Sequence, residues 1–321
     1  MEMNSYRTKS LPLRQSKLCT ELGLQIAFKM IYREIEMPQK TLSREVEIIG
    51  IGLHSGCESK LKFKPAPENT GIVFVRTDLN NNNRFPALYS GVVDTRNCTC
   101  LGNADKQVVS TIEHIMATLA ILQIDNVEIE VSGPEVPIMD GSAKVFYEAL
   151  QKVPLLKQNA PKKYLRVKQT VEFKDDKGNY IVLRPADALE IHFTIDFPSK
   201  IVGHQEFDGR ITADVFAREI APARTFCEKY QVDYLQSIGL IKGGSLDNAV
   251  VLDGETILNE GGFRVDNECV NHKTLDCIGD MLTSGYAIKA EVEAYHTGHF
   301  HNNEVLKKLF ADAKNYEIVE D

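Results

Sequence analysis

The stretch VNHKTLDCIGD, residues 270–280, sets a histidine and two aspartates four residues apart in a largely apolar run. At about 100° per residue, His272, Asp276 and Asp280 fall within a sector of about 80° on a helix. We therefore predict a helix over about 267–284 that presents these side chains together. Most such charge patterns are only a solvated helix face, and the spacing alone leaves that interpretation open beside a functional one.

Strand-like and helix-like runs surround this helix in batches rather than in strict alternation. That order favours an α+β fold over a doubly wound parallel sheet. The strands are predicted at 43–50, 58–64, 72–76, 126–131, 164–174, 180–185, 189–197 and 287–294. The other helices are predicted at 110–122, 142–152, 212–219, 228–239 and 302–313.

The chain divides where periodicity is lost, in a proline-bounded segment ending at residue 163. We predict domain I at 37–155, a linker at 156–163 and domain II at 164–321. Residues 1–36 differ in composition and lack the small-residue cleavage site of a targeting peptide. They are expected to be a dispensable or misassigned extension rather than a cleaved targeting segment, with Met30 and Met37 as alternative starts.

Composition restricts the possible functions. A chain of 321 residues, 43% hydrophobic and 26% charged, is long enough for two globular domains. The net charge of −8 argues against a nucleic-acid partner, and no apolar run is long enough for an integral membrane segment. Seven cysteines, an odd number, do not indicate a disulfide framework, so we expect a cytoplasmic protein.

A second histidine with an acidic neighbour occurs in STIEH, residues 110–114. Ser110 and Glu113 have the spacing of a helix capping box, which would explain the glutamate but not His114. Taken with the helix at 270–280, His114, His272 and Asp276 would make a His₂-carboxylate set, as in a catalytic zinc site. Glu113 could then take a proton from a water molecule there.

Seven segments in order carry a family resemblance: GIGLHSG, STIEHIMATLAILQIDN, GPEVPIMDGSA, APARTF, GGSLDNAVVLD, HKTLDCIGD and TGHFHNN. Together they resemble the UDP-3-O-acyl-N-acetylglucosamine deacetylases, zinc amidases of lipid A biosynthesis. The similarity runs from about residue 40 to residue 313. The family implies hydrolysis of the 2-N-acetyl group of a UDP-linked, 3-O-acylated glucosamine, with release of acetate.

The resemblance also implies a role for each matching residue. One Zn²⁺ per chain would be held by His114, His272 and Asp276. The catalytic residues would be Glu113 as general base, His299 as the cationic proton donor, Asp280 as the acid that orients it, and Lys273 and Thr225 beside the amide carbonyl. Substrate contacts would come from Asp196, Phe197 and His54. Of the other histidines, we expect His192 and His204 to be structural and His301 to be solvated.

The family fold implies two similar layered domains, each a small, mainly antiparallel sheet with two principal helices, and an active site between them. An insert at about 226–253 would form a passage for the fatty acyl chain. The expected partner is the small UDP-acylaminosugar substrate, bound by a monomer. Two alternatives remain, a catalytically silent sugar-nucleotide-binding protein of the same fold and a zinc amidase acting on another sugar conjugate.

Overall fold

The computed structural model describes residues 37–320, so the predicted extension at 1–36 lies outside the described residues. The α+β prediction is confirmed, since helices pack on two main sheets whose strand pairs are mostly antiparallel. Each sheet has its own hydrophobic core. Within residues 37–320, no helix is both long and apolar enough to span a bilayer.

The first half of the described chain is built on a five-stranded sheet. Its elements are β1 (Pro38–Leu42), β2 (Val46–Ile51), β3 (Glu58–Pro65), β4 (Ile72–Arg76), β5 (Arg84–Pro86), a 3₁₀ turn (Tyr89–Gly91), β6 (Val92–Asp94), β7 (Cys100–Gly102), β8 (Val108–Val109), α1 (Glu113–Leu122), β9 (Val127–Val131), α2 (Lys144–Leu150) and β10 (Leu155–Pro161). The strand order is β2-β3-β9-β4-β5, and only the β9–β4 pair is parallel among these. Alternate residues such as Leu61, Phe63 and Ile129 face inward and form one core with α1 and α2.

The second half is built on a seven-stranded sheet. Its elements are β11 (Lys163–Val167), β12 (Val171–Lys174), β13 (Tyr180–Pro185), β14 (Leu189–Asp196), β15 (His204–Arg210), α3 (Ala213–Val215) continued by a π-helical turn (Phe216–Ile220), β16 (Phe226–Glu228), α4 (Lys229–Ser237), β17 (Val250–Asp253), β18 (Thr256–Ile257), α5 (Glu268–Leu282), β19 (Ala287–Tyr295), α6 (His299–Ala311) and β20 (Tyr316–Glu320). Strand β19 alternates buried and half-buried residues along its whole length and pairs with β11, β13 and β14. It therefore organises the sheet against which α5 packs.

Helices α1 and α5 cross at Gly279, and this crossing positions the candidate site. A methyl group at Gly279 would lie 2.0 Å from the carbonyl oxygen of Glu113 and 3.1 Å from the amide nitrogen of Ala117. Only glycine allows the two backbones to approach this closely. The first turn of α1 is thereby held against the last turn of α5.

The segment proposed as an acyl-passage insert, about 226–253, runs strand, helix, strand. Strands β16 and β17 pair in parallel around α4, and β18 adds to β17 in antiparallel. A turn in this segment contacts the first half of the chain, where the amide of Gly243 donates to the carbonyl of Leu53 at 3.0 Å. The segment thus forms one wall beside α1 and α5.

The predicted linker at 156–163 lies largely in strand β10, which pairs with β1 in antiparallel. The sequence concealed this strand because the two-stranded ribbon buries few apolar side chains, and Leu156 is half exposed. The division at this point into two domains remains our proposal. Edge strands β15 and β20 were also missed, since each has solvent-facing positions that weaken the apolar alternation.

Candidate active site

Three side chains from α1 and α5 converge on one point. His114 comes from the first turn of α1, while His272 and Asp276 stand one turn apart on α5. Their ligand atoms all lie within 4.8 Å of one another. The Nε2 atoms of the two imidazoles are 3.7 and 3.5 Å from Asp276 Oδ1, and the two rings are almost perpendicular.

The donor atoms are free to hold a metal ion. His272 Nδ1 lies 3.1 Å from the carbonyl of Ala223, which makes that nitrogen the protonated one and leaves the Nε2 lone pair directed at the cluster. Burial lowers the pKa of His114 to about 3 and also lowers that of His272, so both rings are neutral at pH 7. Asp276 Oδ1 is buried without a hydrogen-bond partner. Two neutral imidazoles and an unpartnered carboxylate oxygen fit a zinc-type ion.

Lys273 contacts the second carboxylate oxygen of Asp276. Its Nζ lies 2.8 Å from Asp276 Oδ2. Burial by itself would raise the pKa of Asp276, but Lys273 and the surrounding histidines outweigh it and hold that pKa well below its usual range. Asp276 therefore remains ionised, as a metal ligand must be.

Glu113 is buried at the start of α1 with one oxygen held. Its Oε2 accepts a hydrogen bond of 2.9 Å from the backbone amide of Thr99. Burial is the main cause that raises the pKa of Glu113 to about 7. The capping-box alternative fails, because α1 begins at Glu113 itself and no side chain caps it; Ser110 instead donates to the carbonyl of Pro134.

His299 begins α6 and is paired with an acid on α5. Its Nδ1 lies 2.8 Å from Asp280 Oδ2. Burial opposes a charge on the imidazole, but Asp280 and Asp276 outweigh burial and raise the pKa of His299 to about 9. His299 is therefore cationic at pH 7, and its Nε2 remains available on the cavity side.

Two further residues hold Asp280, and sequence reasoning missed both. The hydroxyl of Thr99 donates to Oδ1 at 2.6 Å, and Asn302 Nδ2 donates to Oδ2 at 2.8 Å. Asn302 could have been found, because it follows His299 by three residues, about one helical turn. No local pattern marks Thr99, which lies just before β7.

These groups open into a cavity of about 710 Å³. Its wall includes the predicted residues Glu113, His114, Thr225, His272, Lys273, Asp276, His299 and His54. A second part of the wall is apolar and comes mainly from the segment at about 226–253, with Val232, Leu235, Ile241, Leu246 and Val251. One cavity therefore joins the cluster of polar side chains to an apolar wall.

Of the three predicted substrate-contact residues, His54 lines the cavity, while Asp196 and Phe197 do not. Both ring nitrogens of His54 are buried without a partner at the cavity, and its backbone amide donates to Glu135 at 2.7 Å. Asp196 and Phe197 stand behind the wall at the end of β14. The backbone carbonyl of Asp196 is 3.0 Å from Nε2 of His296, whose ring lies 4.8 Å from that of Phe197 and itself lines the cavity.

The prediction that His301 is solvated was wrong. The side chain is buried, and Nε2 lies 3.1 Å from Asp175 Oδ2, in the turn between β12 and β13. His192 and His204 lie on the sheet of the second half, where each is paired with an acid, Asp208 and Glu206. The pairing of His301 crosses 126 residues, so no spacing in the sequence could indicate it.

Comparison with known proteins agrees with this arrangement. A family model described as UDP-3-O-acyl N-acetylglycosamine deacetylase matches residues 39–311. The chain is similar to the UDP-3-O-acyl-N-acetylglucosamine deacetylase of Actinobacillus pleuropneumoniae serotype 3 (strain JL03), 44% identical over 284 residues, which are 88% of this chain and 92% of the relative. The proteins of that name from Pasteurella multocida (strain Pm70) and Haemophilus influenzae (strain PittEE) are 45% and 44% identical over 283 residues, again 88% of this chain and 92% of each relative. A match across both sheets and every residue of the His₂-carboxylate set means that this chain belongs to the UDP-3-O-acyl N-acetylglycosamine deacetylase family.

Proposed function

We propose that this protein hydrolyses the N-acetyl amide of UDP-3-O-(3-hydroxyacyl)-N-acetylglucosamine and releases acetate, the committed step of lipid A biosynthesis. The observation that carries the proposal is a pair of groups, one able to accept a proton and one able to give one at pH 7, beside one ligand set. Glu113, with a pKa raised to about 7, can accept a proton, and His299, with a pKa raised to about 9, can give one. Family membership and the names of the relatives support the same reaction.

We further propose that one zinc ion per chain is held by His114, His272 and Asp276. The ion would act as a Lewis acid that makes a water molecule more acidic and polarises the amide carbonyl. The chain's own contribution is to keep both imidazoles neutral by burial and the carboxylate ionised beside Lys273. The donor set suits zinc better than magnesium, which prefers oxygen ligands.

Glu113 takes the proton from the attacking water in this mechanism. Its Oε2 is held by the amide of Thr99, which leaves Oε1 to accept the proton. A carboxyl whose pKa lies near the working pH is well suited as a general base. Lys273 and Thr225, both in the cavity wall, would donate to the carbonyl oxygen as negative charge develops on it.

His299 supplies the proton that the departing amine needs. The C–N bond breaks with its electron pair going to the sugar nitrogen, and Nε2 of His299 gives that nitrogen a proton. Asp280 holds Nδ1 at 2.8 Å and so directs Nε2 into the cavity. Water thus supplies one oxygen of acetate, the amine receives its proton from His299, and the cycle closes when Glu113 releases the proton taken from water and His299 is protonated again.

The rest of the cavity suits an acylated sugar nucleotide. The apolar wall from the segment at about 226–253 would receive the fatty acyl chain. His54 offers two unpartnered ring nitrogens to polar groups of the sugar or diphosphate. Phe197 stands next to the cavity-lining His296 and would stack on the uracil, with Asp196 beside it, once that side of the wall rearranges.

We propose a monomer that acts in the cytoplasm. The six cysteines among residues 37–320 are all unpaired, which agrees with a reducing compartment. The burial of Cys98 and Cys100 raises the pKa of both thiols, so these neighbours of the site remain uncharged.

Acetate release from the purified protein, measured together with its metal content, tests the proposal. We expect turnover of the UDP-3-O-acyl substrate that depends on bound zinc. A protein that binds the sugar nucleotide without releasing acetate would be the catalytically silent alternative. Equal turnover of a substrate without the 3-O-acyl chain would favour an amidase for another sugar conjugate.

A further inference from the structure

Thr99 joins two parts of the candidate active site. Its side chain is 3% exposed, and each of its polar groups has a partner. The backbone amide donates to Glu113 Oε2 at 2.9 Å, and the hydroxyl donates to Asp280 Oδ1 at 2.6 Å. Its carbonyl accepts a longer bond, 3.4 Å, from the amide of Ile112 just before α1. Thr99 thus contacts the acid on α1 and the acid on α5 at the same time.

The hydroxyl decides how the carboxylate of Asp280 is oriented. Oδ2 accepts from His299 Nδ1 and from Asn302 Nδ2, both at 2.8 Å, while Oδ1 accepts from Thr99. Without the hydroxyl, the donors described here would all act on Oδ2. The carboxylate could then turn about its Cβ–Cγ bond, and the imidazole bound to it would lose its fixed direction.

We propose that Thr99 is a positioning residue, whose amide and hydroxyl align the proton acceptor Glu113 with the proton donor His299. The inference rests on the proposed function. Thr99 does not line the cavity or reach the reacting atoms, so it acts through the two acids. The alternative is a purely structural tie between the short strand β7 and the two helices.

The test compares Thr99→Val with Thr99→Ser in the zinc-loaded protein. Valine keeps the size and the backbone amide but removes the hydroxyl, and serine restores the hydroxyl. Thr283→Val is a matched control, because Thr283 is equally buried and donates at 2.6 Å to Asp280, but to its backbone carbonyl. Each variant is measured for kcat, KM, zinc content and thermal melting.

We expect Thr99→Val to lower kcat by about tenfold to a hundredfold, as loss of a hydrogen bond to a charged group does. KM and zinc content should remain within about twofold, because the ligand set and the cavity wall are untouched. Thr99→Ser should recover most of kcat, and Thr283→Val should lower the melting temperature with little change in kcat. If Thr99→Val does not fold, Thr99→Ala against Thr99→Ser makes the same comparison.

A spectroscopic measurement separates this inference from the proposed function. In protein labelled with ¹⁵N-histidine, the Nδ1–H proton of His299 is identified by its loss in His299→Gln. Thr99→Val should shift that resonance, and Thr283→Val should not. An unmoved resonance with normal kcat, or a Thr99→Ser variant as impaired as Thr99→Val, would overturn the positioning role. If the wild-type protein releases no acetate but Thr99→Val still shifts the His299 resonance, only the proposed function is overturned.

Discussion

The imidazole of His299 and the carboxylate of Asp280 form a buried pair, with Nδ1 2.8 Å from Oδ2, although 19 residues separate them in the chain. Strand β19 lies between them in sequence and turns the chain back, so that the start of α6 meets the last turns of α5. The pair keeps His299 charged inside the protein and leaves its Nε2 on the cavity side, 4.0 Å from Asp276 Oδ2.

Activity should follow a bell-shaped dependence on pH. In the proposed mechanism Glu113 works when deprotonated, so kcat/KM should rise as pH increases through about 7, and a bound cation would move this limb lower. His299 works when protonated, so the rate should fall as pH passes about 9. The profile of kcat/KM measured from pH 5 to about 10 checks both limbs.

Asp280→Asn should move the basic limb below about 9, because burial then lowers the pKa of His299 with less opposition. The rate at the optimum should fall as well. Asp208→Asn is the control, since Asp208 is also 2.8 Å from a histidine, His192, but on the exposed sheet. A basic limb that stays in place in Asp280→Asn contradicts the assignment of His299.

Glu113→Gln should retain zinc but lose about 10²–10⁴ in kcat, the usual worth of a general base. Although the variant loses activity, its metal-free folded state should become more stable at high pH. The folded protein raises the pKa of Glu113 from 4.5 to about 7, so the stability that this group contributes at low pH is lost as pH rises through about 7.

The metal-free Glu113→Gln protein should therefore melt at a higher temperature than metal-free wild type at pH 8, and the difference should shrink near pH 5. Thermal melts at the two pH values measure this. Lower stability by about 1 kcal/mol at both pH values would instead indicate that Glu113 acts mainly through its hydrogen bond from the amide of Thr99.

Removal of one ligand should remove the metal. His114→Ala and Asp276→Ala each leave two protein ligands, too few for a stable structural or catalytic zinc site. Metal analysis after dialysis should find about one zinc per wild-type chain and almost none in either variant. His192→Ala, which changes a histidine on the exposed sheet, should retain the wild-type content.

Gly279→Ala should separate α1 from α5. The added methyl group would lie 2.0 Å from the carbonyl of Glu113, so the helices must move apart, at a cost of about 1–3 kcal/mol or more. Because the ligands stand on these two helices, zinc affinity should fall too. Gly133→Ala is the control, as a methyl group there meets nothing within 4 Å. Equal melting temperatures and zinc affinities for the two variants would argue against the crossing as the determinant of the site.

Deletion of residues 1–36 should leave acetate release and zinc content unchanged, because the family match begins at residue 39. Kinetics and metal analysis of a chain that starts at Met37 test this prediction. A loss of either property in the shortened chain would contradict it.

The sequence by itself determined the features that repeat at short range. The four-residue step of His272, Asp276 and Asp280 predicted one helical face, and α5 presents these side chains together. The apolar alternation of 287–294 predicted β19, and seven ordered motifs indicated the family and its ligand set. These signals survive in the sequence because a helix turn or a strand pleat relates residues only a few positions apart.

The tertiary structure alone decided what depends on contacts between distant segments. Thr99 reaches Asp280 across 181 residues, and Asp175 pairs with His301 across 126. Neither contact leaves a periodic trace, because each follows from how whole elements pack. Strand β10 was hidden for a related reason, since its pairing with β1 depends on backbone hydrogen bonds and not on an apolar face. The convergence of His114 with α5 was proposed from chemistry, and the structure achieves it through a helix crossing that only a glycine at position 279 permits.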